Sequence, residues 1–352
     1  MNCSHCSYKG SILSREEQLT TTDIISIIQN LSENLNIVEL QFLGGEPLLR
    51  SDYQSIINYA IQKTIPVSII TNGFLIDDNF INFIKEKPIK QIVFSIDGIN
   101  EESYGKMRKQ GIFNEIIQNL DRVIKTKHPC TKIKVHYVLT KVNLKKPQEI
   151  VDFFQDHDID ILSFNFLEMK GNALKNKDIL YVTPEEYFEF LEDLYKNYYN
   201  YKIPVIPPSF PIIIEYFNKK YNLDLPIPYR GCPAVTSEFL ILSDGTFVPC
   251  ASLYSLENIR ELLGLEDYSL INTHIENIYN KSSIKRIVEQ KNNIAYNKHV
   301  PCNKCKYLGN YCQPCFIEGL QDLEQINPLC VIAHTKIQEY DNTITKSENL
   351  YS

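Results

Sequence analysis

Cysteine is the residue type whose spacing in this chain points most directly to chemistry. Cys3 and Cys6 open the 352-residue sequence, and seven more cysteines lie in its last third: Cys232, Cys250, Cys302, Cys305, Cys312, Cys315 and Cys330. Thiolates at C-x2-C spacing can hold one soft metal centre, and four of them complete the shell of a zinc ion or an iron–sulfur cluster. The split predicts two separate metal-binding regions, and the second set is one thiolate short of two full centres.

Composition and charge limit the classes of protein to which the chain can belong. With 43% hydrophobic and 22% charged residues it resembles an ordinary globular protein, and it has no apolar run long enough for a membrane span. The net charge of −7 argues against nucleic-acid binding, which needs a basic face. The short basic stretch Lys106-Met107-Arg108-Lys109 is interpreted as a solvated face.

The first residues lack the basic and apolar segments of a secretory signal, which predicts a cytoplasmic protein. Disulfides seldom persist in that reducing compartment. The clustered cysteines are therefore interpreted as metal ligands, and a disulfide framework is the alternative.

Short apolar runs alternate with stretches of helical period between residues 37 and 200. The predicted strands cover residues 37–43, 67–70, 92–96, 133–139 and 161–166, and the predicted helices include 53–62 and 116–125. Strands that alternate with helices imply a parallel sheet, and right-handed crossovers favour a barrel or a doubly wound sheet. The predicted fold class is α/β.

The pattern changes after the predicted capping box of Thr183 and Glu186, which starts a helix expected to run to about Asn200. Six prolines between residues 204 and 228 predict an extended connection. Beyond it, apolar runs on either side of Ser243-Asp244-Gly245 predict a hairpin. The predicted organisation is a first domain at 1–205, a linker at 206–228, a cysteine-rich domain at 229–338 and a disordered tail at 339–352.

Together these features resemble the radical S-adenosylmethionine (SAM) superfamily, in particular its members with a C-terminal SPASM domain. The family's C-x3-C-x2-C motif holds three irons of a [4Fe–4S] cluster and leaves the fourth iron to bind SAM. Cys3 and Cys6 match its second and third cysteines, with His5 at an often aromatic position. The first cysteine would lie upstream of Met1, so the resemblance implies a longer natural chain and a partial (β/α)6 barrel whose first strand is missing from this sequence.

The resemblance also implies a SAM pocket at the carboxyl ends of the strands. Gly44-Gly45-Glu46-Pro47 follows the first predicted strand, where two glycines expose backbone to a ligand and the carboxylate can accept hydrogen bonds from an ammonium group. A tight turn with a solvated glutamate is the alternative. Ser95 and Asn143 are further candidate pocket residues, whereas Asn72-Gly73 and Asp97-Gly98 are explained equally well as turns.

The SPASM pattern is C-x9–15-G-x4-C, then C-x2-C-x5-C-x3-C, then a last cysteine. Cys232, Gly245 and Cys250 fit the first part, and Cys312 departs from the second part by one position. The resemblance assigns an outer auxiliary cluster to Cys302, Cys305, Cys312 and Cys330, and an inner one with an open iron to Cys232, Cys250 and Cys315. Cys130 is interpreted as a buried or loop thiol. One zinc site made by Cys302, Cys305, Cys312 and Cys315 is the alternative.

Such enzymes cleave SAM to a 5′-deoxyadenosyl radical, which removes hydrogen from an unactivated C–H bond. The implied function is therefore crosslinking or oxidation of a ribosomally made precursor peptide, with a flavodoxin- or ferredoxin-type electron donor and, where needed, a separate peptide-recognition protein. Sulfatase maturation is disfavoured because Ala251 stands where those enzymes have Asp. A radical SAM enzyme for a small molecule or carbohydrate, and a non-catalytic iron–sulfur or zinc-binding adaptor, remain the alternatives.

Overall fold

The largest element of the fold is a sheet of six parallel strands that follow one another in chain order. The computed structural model describes residues 3–6, 18–108, 110–254, 268–293, 300–313, 315 and 327–348. The strands are β1 (Leu40–Phe42), β2 (Val67–Thr71), β3 (Gln91–Ser95), β4 (Lys132–Leu139), β5 (Ile161–Phe166) and β6 (Val205–Ile206). The predicted α/β class is confirmed.

Helices connect these strands and cover one face of the sheet. They are α1 (Thr21–Asn34), α2 (Tyr53–Gln62), α3 (Asp78–Glu86), α4 (Glu101–Met107), α5 (Phe113–Thr126), α6 (Pro147–Gln155), α7 (Gly171–Lys175), α8 (Lys177–Leu180) and α9 (Pro184–Lys196). The predicted capping box starts α9, because the Thr183 hydroxyl accepts from the Glu186 backbone N–H and the Glu186 carboxylate accepts from Thr183 N.

The two faces of β4 show how the sheet divides the molecule. Ile133, Val135, Tyr137 and Leu139 are fully buried, whereas Lys134, His136 and Val138 alternate with them and are only partly buried. Side chains on a strand point to opposite faces in turn, so the first set packs under the helices. The second set faces the opposite side of the sheet, its inner face, which can receive a ligand.

A smaller lobe follows the six-stranded sheet. Its antiparallel sheet consists of β7 (Leu240–Ile241), β8 (Thr246–Val248) and β9 (Tyr268–Ser269), and the predicted hairpin is confirmed. Short helices α11 (Ala251–Tyr254), α12 (Ile275–Tyr279) and α13 (Ser282–Asn293) complete it. One face of α1 packs into this lobe's core through Ile27 and Leu31, so the first helix of the chain joins the two parts.

The proline-rich passage is not a simple extended connection. It contributes β6 to the sheet and then forms α10 (Pro211–Tyr221), because Pro211 occupies the first helical turn, where no backbone donor is needed. The prediction of a disordered tail at 339–352 is wrong for residues 339–348, because α14 (Pro328–Glu348) continues through them. Asp341 of this helix forms an ion pair with Lys219 of α10 at 3.0 Å. Within the described residues, no helix has the length and apolarity to cross a bilayer.

Candidate functional site

The loop of Cys3 and Cys6 lies against the ends of two helices. Ser4 N donates to Met107 O at the end of α4, at 3.0 Å. At the start of α7, Asn172 donates from its backbone to Cys6 O at 2.8 Å and from its amide side chain to Cys3 O at 3.1 Å. These contacts hold the loop by its backbone and leave both thiols free of disulfide bonds.

A buried ion pair lies beside this loop. Asp97 is fully buried, and its Oδ2 accepts from Arg108 Nε at 2.7 Å and lies 2.6 Å from Arg108 Nη2. His5 Nε2 is 3.3 Å from the same oxygen, and Oδ1 accepts from Val138 N at 2.7 Å. Burial would raise the pKa of Asp97, but the Arg108 charge and then His5 hold it below the ordinary value.

Arg108 corrects one sequence-based interpretation. The stretch Lys106-Met107-Arg108-Lys109 was expected to be a solvated face, yet the Arg108 side chain is 9% exposed, and Lys109 lies outside the described residues. The Arg108 guanidinium also donates from Nη1 to Cys3 Sγ at 3.7 Å. Burial raises the pKa of the Cys3 thiol, and the charge of Arg108 opposes that rise.

Glu46 is the acidic residue of the predicted SAM pocket, and its carboxylate turns back onto the end of β2. It accepts from Thr71 Oγ1 and from Asn72 N, each at 2.8 Å, and from Leu48 N at 3.2 Å. Burial raises the pKa of Glu46 despite these hydrogen bonds, and Arg108 lies within electrostatic range. The glutamate is therefore not a solvated turn residue, and it shares one electrostatic environment with the cysteine loop.

The two glycines before Glu46 leave their backbone open. Gly44 has φ +132°, a conformation that side-chain-bearing residues rarely adopt. No atom lies within 4 Å of the position that a Cβ would take at Gly44 or Gly45. A ligand can therefore approach this backbone closely.

Ser95 and Asn143, the other candidate pocket residues, differ in their surroundings. Ser95 ends β3 and pairs with His136 of β4, so its side chain lies on the inner face of the sheet. The Asn143 amide is fully used within the protein: it accepts from Thr140 N and Oγ1, and it donates to Asp97 O and Val138 O. Asn143 therefore braces the turn after β4, and no hydrogen-bonding capacity of its amide is left for a ligand.

The inner face carries a polar row that the sequence analysis missed. His136 lies between Ser95 of β3 and Ser163 of β5, and Lys134 lies two residues away on the same strand. Burial and then the charge of Lys134 lower the pKa of His136 to about 4, so its imidazole is neutral at physiological pH. The sequence signal that identifies these residues is the alternation of Ile133, Val135 and Tyr137 with Lys134 and His136 along the predicted strand.

Four of the C-terminal cysteines lie near enough to one another to interact electrostatically. Cys302 begins a 3-10 turn, Cys305 ends it, Cys312 follows in a tight loop, and Cys330 lies on α14. Burial raises the pKa of Cys302 to about 11, and the charges of Cys312 and Cys305 add to that rise. Burial also raises the pKa of Cys330, and the charges of the other three thiols raise it further. The four sulfurs therefore lie within electrostatic range of one another.

The remaining three C-terminal cysteines lie elsewhere. Cys232, Cys250 and Cys315 pack against the core of the small lobe, whereas Cys305, Cys312 and Cys330 pack against the core of the large sheet. The zinc alternative needs Cys312 and Cys315 in one site, and these two residues lie against different cores. In the described part of the chain, no three His, Cys, Asp or Glu side chains form a ready site for a single metal ion.

A backbone pairing joins the two cysteine sets. Arg230 N donates to Tyr311 O at 2.6 Å, and Gln313 N donates to Arg230 O at 2.8 Å. The Gln313 side chain then accepts from Cys232 N at 3.3 Å. This pairing lays the segment of Cys232 beside the loop that carries Cys312 and Cys315.

Residues 1–154 match the family model described as the radical SAM superfamily. The chain is 28% identical over 171 residues to a probable GTP 3′,8-cyclase of Methanocaldococcus jannaschii, and the match covers 48% of this chain and 56% of that protein. It is 25% identical over 271 residues to the GTP 3′,8-cyclase of Lactiplantibacillus plantarum, with coverage of 75% and 79%.

Two solved structures share the fold over nearly the whole chain. SuiB of Streptococcus suis, bound to the precursor peptide SuiA, superposes with a TM-score of 0.72 at 15% identity, covering 94% of this chain and 72% of SuiB. Native anSMEcpe with bound AdoMet and the Kp18Cys peptide superposes with a TM-score of 0.69 at 18% identity, covering 99% of this chain and 95% of anSMEcpe. The similarity extends through the cysteine-rich lobe as well as the sheet.

Proposed function

Because residues 1–154 are a radical SAM domain, we propose that this radical SAM enzyme carries a SPASM-type C-terminal lobe and modifies a ribosomally made precursor peptide by crosslinking or oxidation. The observation that carries the proposal is the division of the seven C-terminal cysteines into two sets. Four thiols lie within electrostatic range of one another, three of them packed against the core of the large sheet, and the other three cysteines pack against the core of the small lobe. Four thiols in one set match a complete [4Fe–4S] ligand shell. Three in the other leave one iron open.

The residues present fit a SAM-binding cluster at the N-terminal loop. Cys3 and Cys6 would supply two of its thiolates, and the backbone of Gly44 and Gly45 is open to the close approach of a ligand. The buried Tyr104 hydroxyl, within electrostatic range of Cys3, has no hydrogen-bond partner among the described residues. When bound, the cluster and SAM supply one-electron reduction and a radical able to remove hydrogen from an unactivated carbon.

The chain's own residues would bind and orient the reactants. The Glu46 carboxylate would accept a hydrogen bond from the SAM ammonium group, and Ser95 would contribute a hydroxyl on the inner face. His136 and Lys134 would contact the substrate on the same face. Placing a substrate carbon beside the cofactor while the sheet excludes water is the main task of the protein in such a reaction.

The C-terminal lobe would hold the auxiliary clusters. Cys302, Cys305, Cys312 and Cys330 would ligate the outer cluster. Cys232, Cys250 and Cys315 would ligate the inner cluster, whose open iron could take water, a side chain or a substrate thiolate. A flavodoxin- or ferredoxin-type protein would supply electrons, and a cytoplasmic location is proposed with it.

A peptide substrate is supported by the fold neighbours, since SuiB and anSMEcpe are described with bound peptides and share the fold over more than nine-tenths of this chain. The test is an anaerobic reaction of the full-length, iron- and sulfide-reconstituted protein with SAM and each short candidate peptide that its neighbouring genes encode. We expect formation of 5′-deoxyadenosine and a peptide mass change of a few hydrogens. Unchanged peptide with active SAM cleavage would contradict the peptide assignment.

A small nucleotide substrate is the second candidate, because both sequence relatives described above are GTP 3′,8-cyclases or a probable one. The same reaction with GTP in place of the peptide separates the two candidates. A new guanine-derived product would favour the nucleotide. Loss of SAM cleavage under every condition, with clusters present, would favour a non-catalytic iron–sulfur protein.

A further inference from the structure

The Asp97–Arg108 ion pair lies where it can act on the N-terminal cysteines. Arg108 lies just past the end of α4, where its backbone N–H donates to Tyr104 O, so the helix fixes the base of the side chain. Its guanidinium contacts two partners: Nε and Nη2 face the Asp97 carboxylate, and Nη1 donates to Cys3 Sγ at 3.7 Å. The side chain is 9% exposed and Asp97 is 0% exposed, so water screens little of this interaction.

Asp97 is anchored independently of Arg108. Its Oδ1 accepts from Val138 N at the end of β4, and its backbone carbonyl accepts from the Asn143 side chain at 3.1 Å. The carboxylate is therefore fixed to the sheet, and it holds the arginine at a defined position. The guanidinium cannot move towards Cys3 without stretching bonds to a rigid partner.

A charge so placed would influence electron transfer to a cluster on Cys3. Hydrogen bonds to cluster sulfurs and the net local charge are among the main determinants of the reduction potential of an iron–sulfur centre. One-electron reduction adds a negative charge to the cluster. A buried cation at the thiolate stabilises the reduced form, and a buried carboxylate behind that cation weakens the effect.

We propose that Arg108 is a positioning residue whose N–H···S contact to Cys3 raises the reduction potential of the SAM-binding cluster, and that Asp97 sets the size of this effect by holding and partly neutralising Arg108. The inference rests on the proposed function, because it needs a cluster at Cys3 and Cys6. It assigns a role to two residues outside the cysteine motif and the Gly44-Gly45-Glu46 loop. The two side chains then have opposite effects on one measured quantity.

The test is a potentiometric titration with dithionite of the full-length reconstituted protein, followed by electron paramagnetic resonance. The SAM-binding cluster is identified as the signal that changes on addition of SAM. We expect Arg108→Gln to shift its midpoint potential to more negative values and Asp97→Asn to shift it to more positive values. Arg108→Lys keeps the charge and should lie nearer to the wild-type potential than Arg108→Gln.

Arg122→Gln is the matched control, because Arg122 forms an ion pair with Asp78 at 2.5 Å on the surface, away from the cysteine loop. The midpoint potential of the cluster in this variant should equal that in the wild type. Equal potentials in all variants, or shifts of Arg108→Gln and Asp97→Asn in the same direction, would refute the inference while leaving the proposed function intact. A wild-type protein with no SAM-responsive cluster would overturn both.

Discussion

Glu46, Asp97 and His136 are ionisable side chains that folding removes from water, and the structure compensates each in a different way. Asp97 has a buried cation, Glu46 has three hydrogen-bond donors, and His136 is neutral. Burying a charge without a partner is costly, so ionisable groups of this kind persist where they serve binding or catalysis. All three lie near the carboxyl ends or inner face of the parallel strands.

Glu46→Gln should weaken SAM binding to the reconstituted protein by roughly 10- to 100-fold, because a hydrogen bond to a charged group contributes about 1.5–3 kcal/mol. Isothermal titration calorimetry under anaerobic conditions measures this. Glu39→Gln is the control, since the Glu39 carboxylate bonds to Ser68 and Lys90 away from the Gly44-Gly45 loop. Equal affinities of the two variants would rule out a role of Glu46 in SAM binding.

His136→Gln should make the stability of the protein less sensitive to acid. The folded-state pKa of about 4 lies below the ordinary value of 6.5, so the unfolded chain binds more protons between these values, and the wild type loses stability as pH falls through that window. Between neutral pH and about pH 4.5 the loss should be about 2–3 kcal/mol larger in the wild type than in the variant. Urea unfolding at both pH values measures it, and parallel pH profiles would contradict the lowered pKa.

At the scale of elements, the helices on either side of the sheet's last strand in the chain support the helix that carries Cys330. α9, α10 and α14 all pack against one another, and Phe217 of α10 stacks on Tyr195 of α9 with ring centroids 4.5 Å apart. α14 carries Cys330, so the packing of α10 and α14 fixes the distance between that thiol and the sheet. The proline-rich passage thus acts as a structural support rather than a tether.

Phe217→Ala should lower the free energy of unfolding by about 3–5 kcal/mol, because it leaves a cavity at a fully buried position. Val38→Ala is the control, since Val38 is 74% exposed and its loss should change stability by about 0.5 kcal/mol or less. Chemical denaturation of the metal-free protein measures both. A similar small effect for both variants would show that α10 does not pack as described.

At the scale of the whole molecule, the two cores keep the two C-terminal cysteine sets apart while the pairing of Arg230 with Tyr311 and Gln313 keeps them adjacent. If each set holds its own cluster, as proposed, either cluster should be lost without the other. A protein with one shared metal site would instead lose all metal when any one ligand is removed.

Cys330→Ser should remove about four irons per chain and leave the cluster on the small lobe in place, because four cysteines are the usual ligand shell of one [4Fe–4S] cluster. Cys232→Ser should remove the other cluster and leave the first. Iron and sulfide analysis after anaerobic reconstitution measures each loss. Cys130→Ser, at an exposed thiol, should keep the full iron content, and equal losses from all three substitutions would contradict separate sites.

The sequence by itself determined the parallel α/β fold, the predicted positions of five strands, the hairpin at Gly245 and the grouping of cysteines. These depend on local periodicity and spacing, which a linear pattern records. Only the tertiary structure decided that Arg108 is buried against Asp97 and Cys3 and that α10 forms in a proline-rich passage. It also decided that the Asn143 amide makes all its hydrogen bonds within the protein. The position of Arg108 depends on residues far away in the chain, whose charge and burial reverse the preference of a lone arginine for water. The hydrogen bonds of Asn143 require the distant Asp97 as well as its own turn, and α10 is stabilised by its packing against α9 and α14.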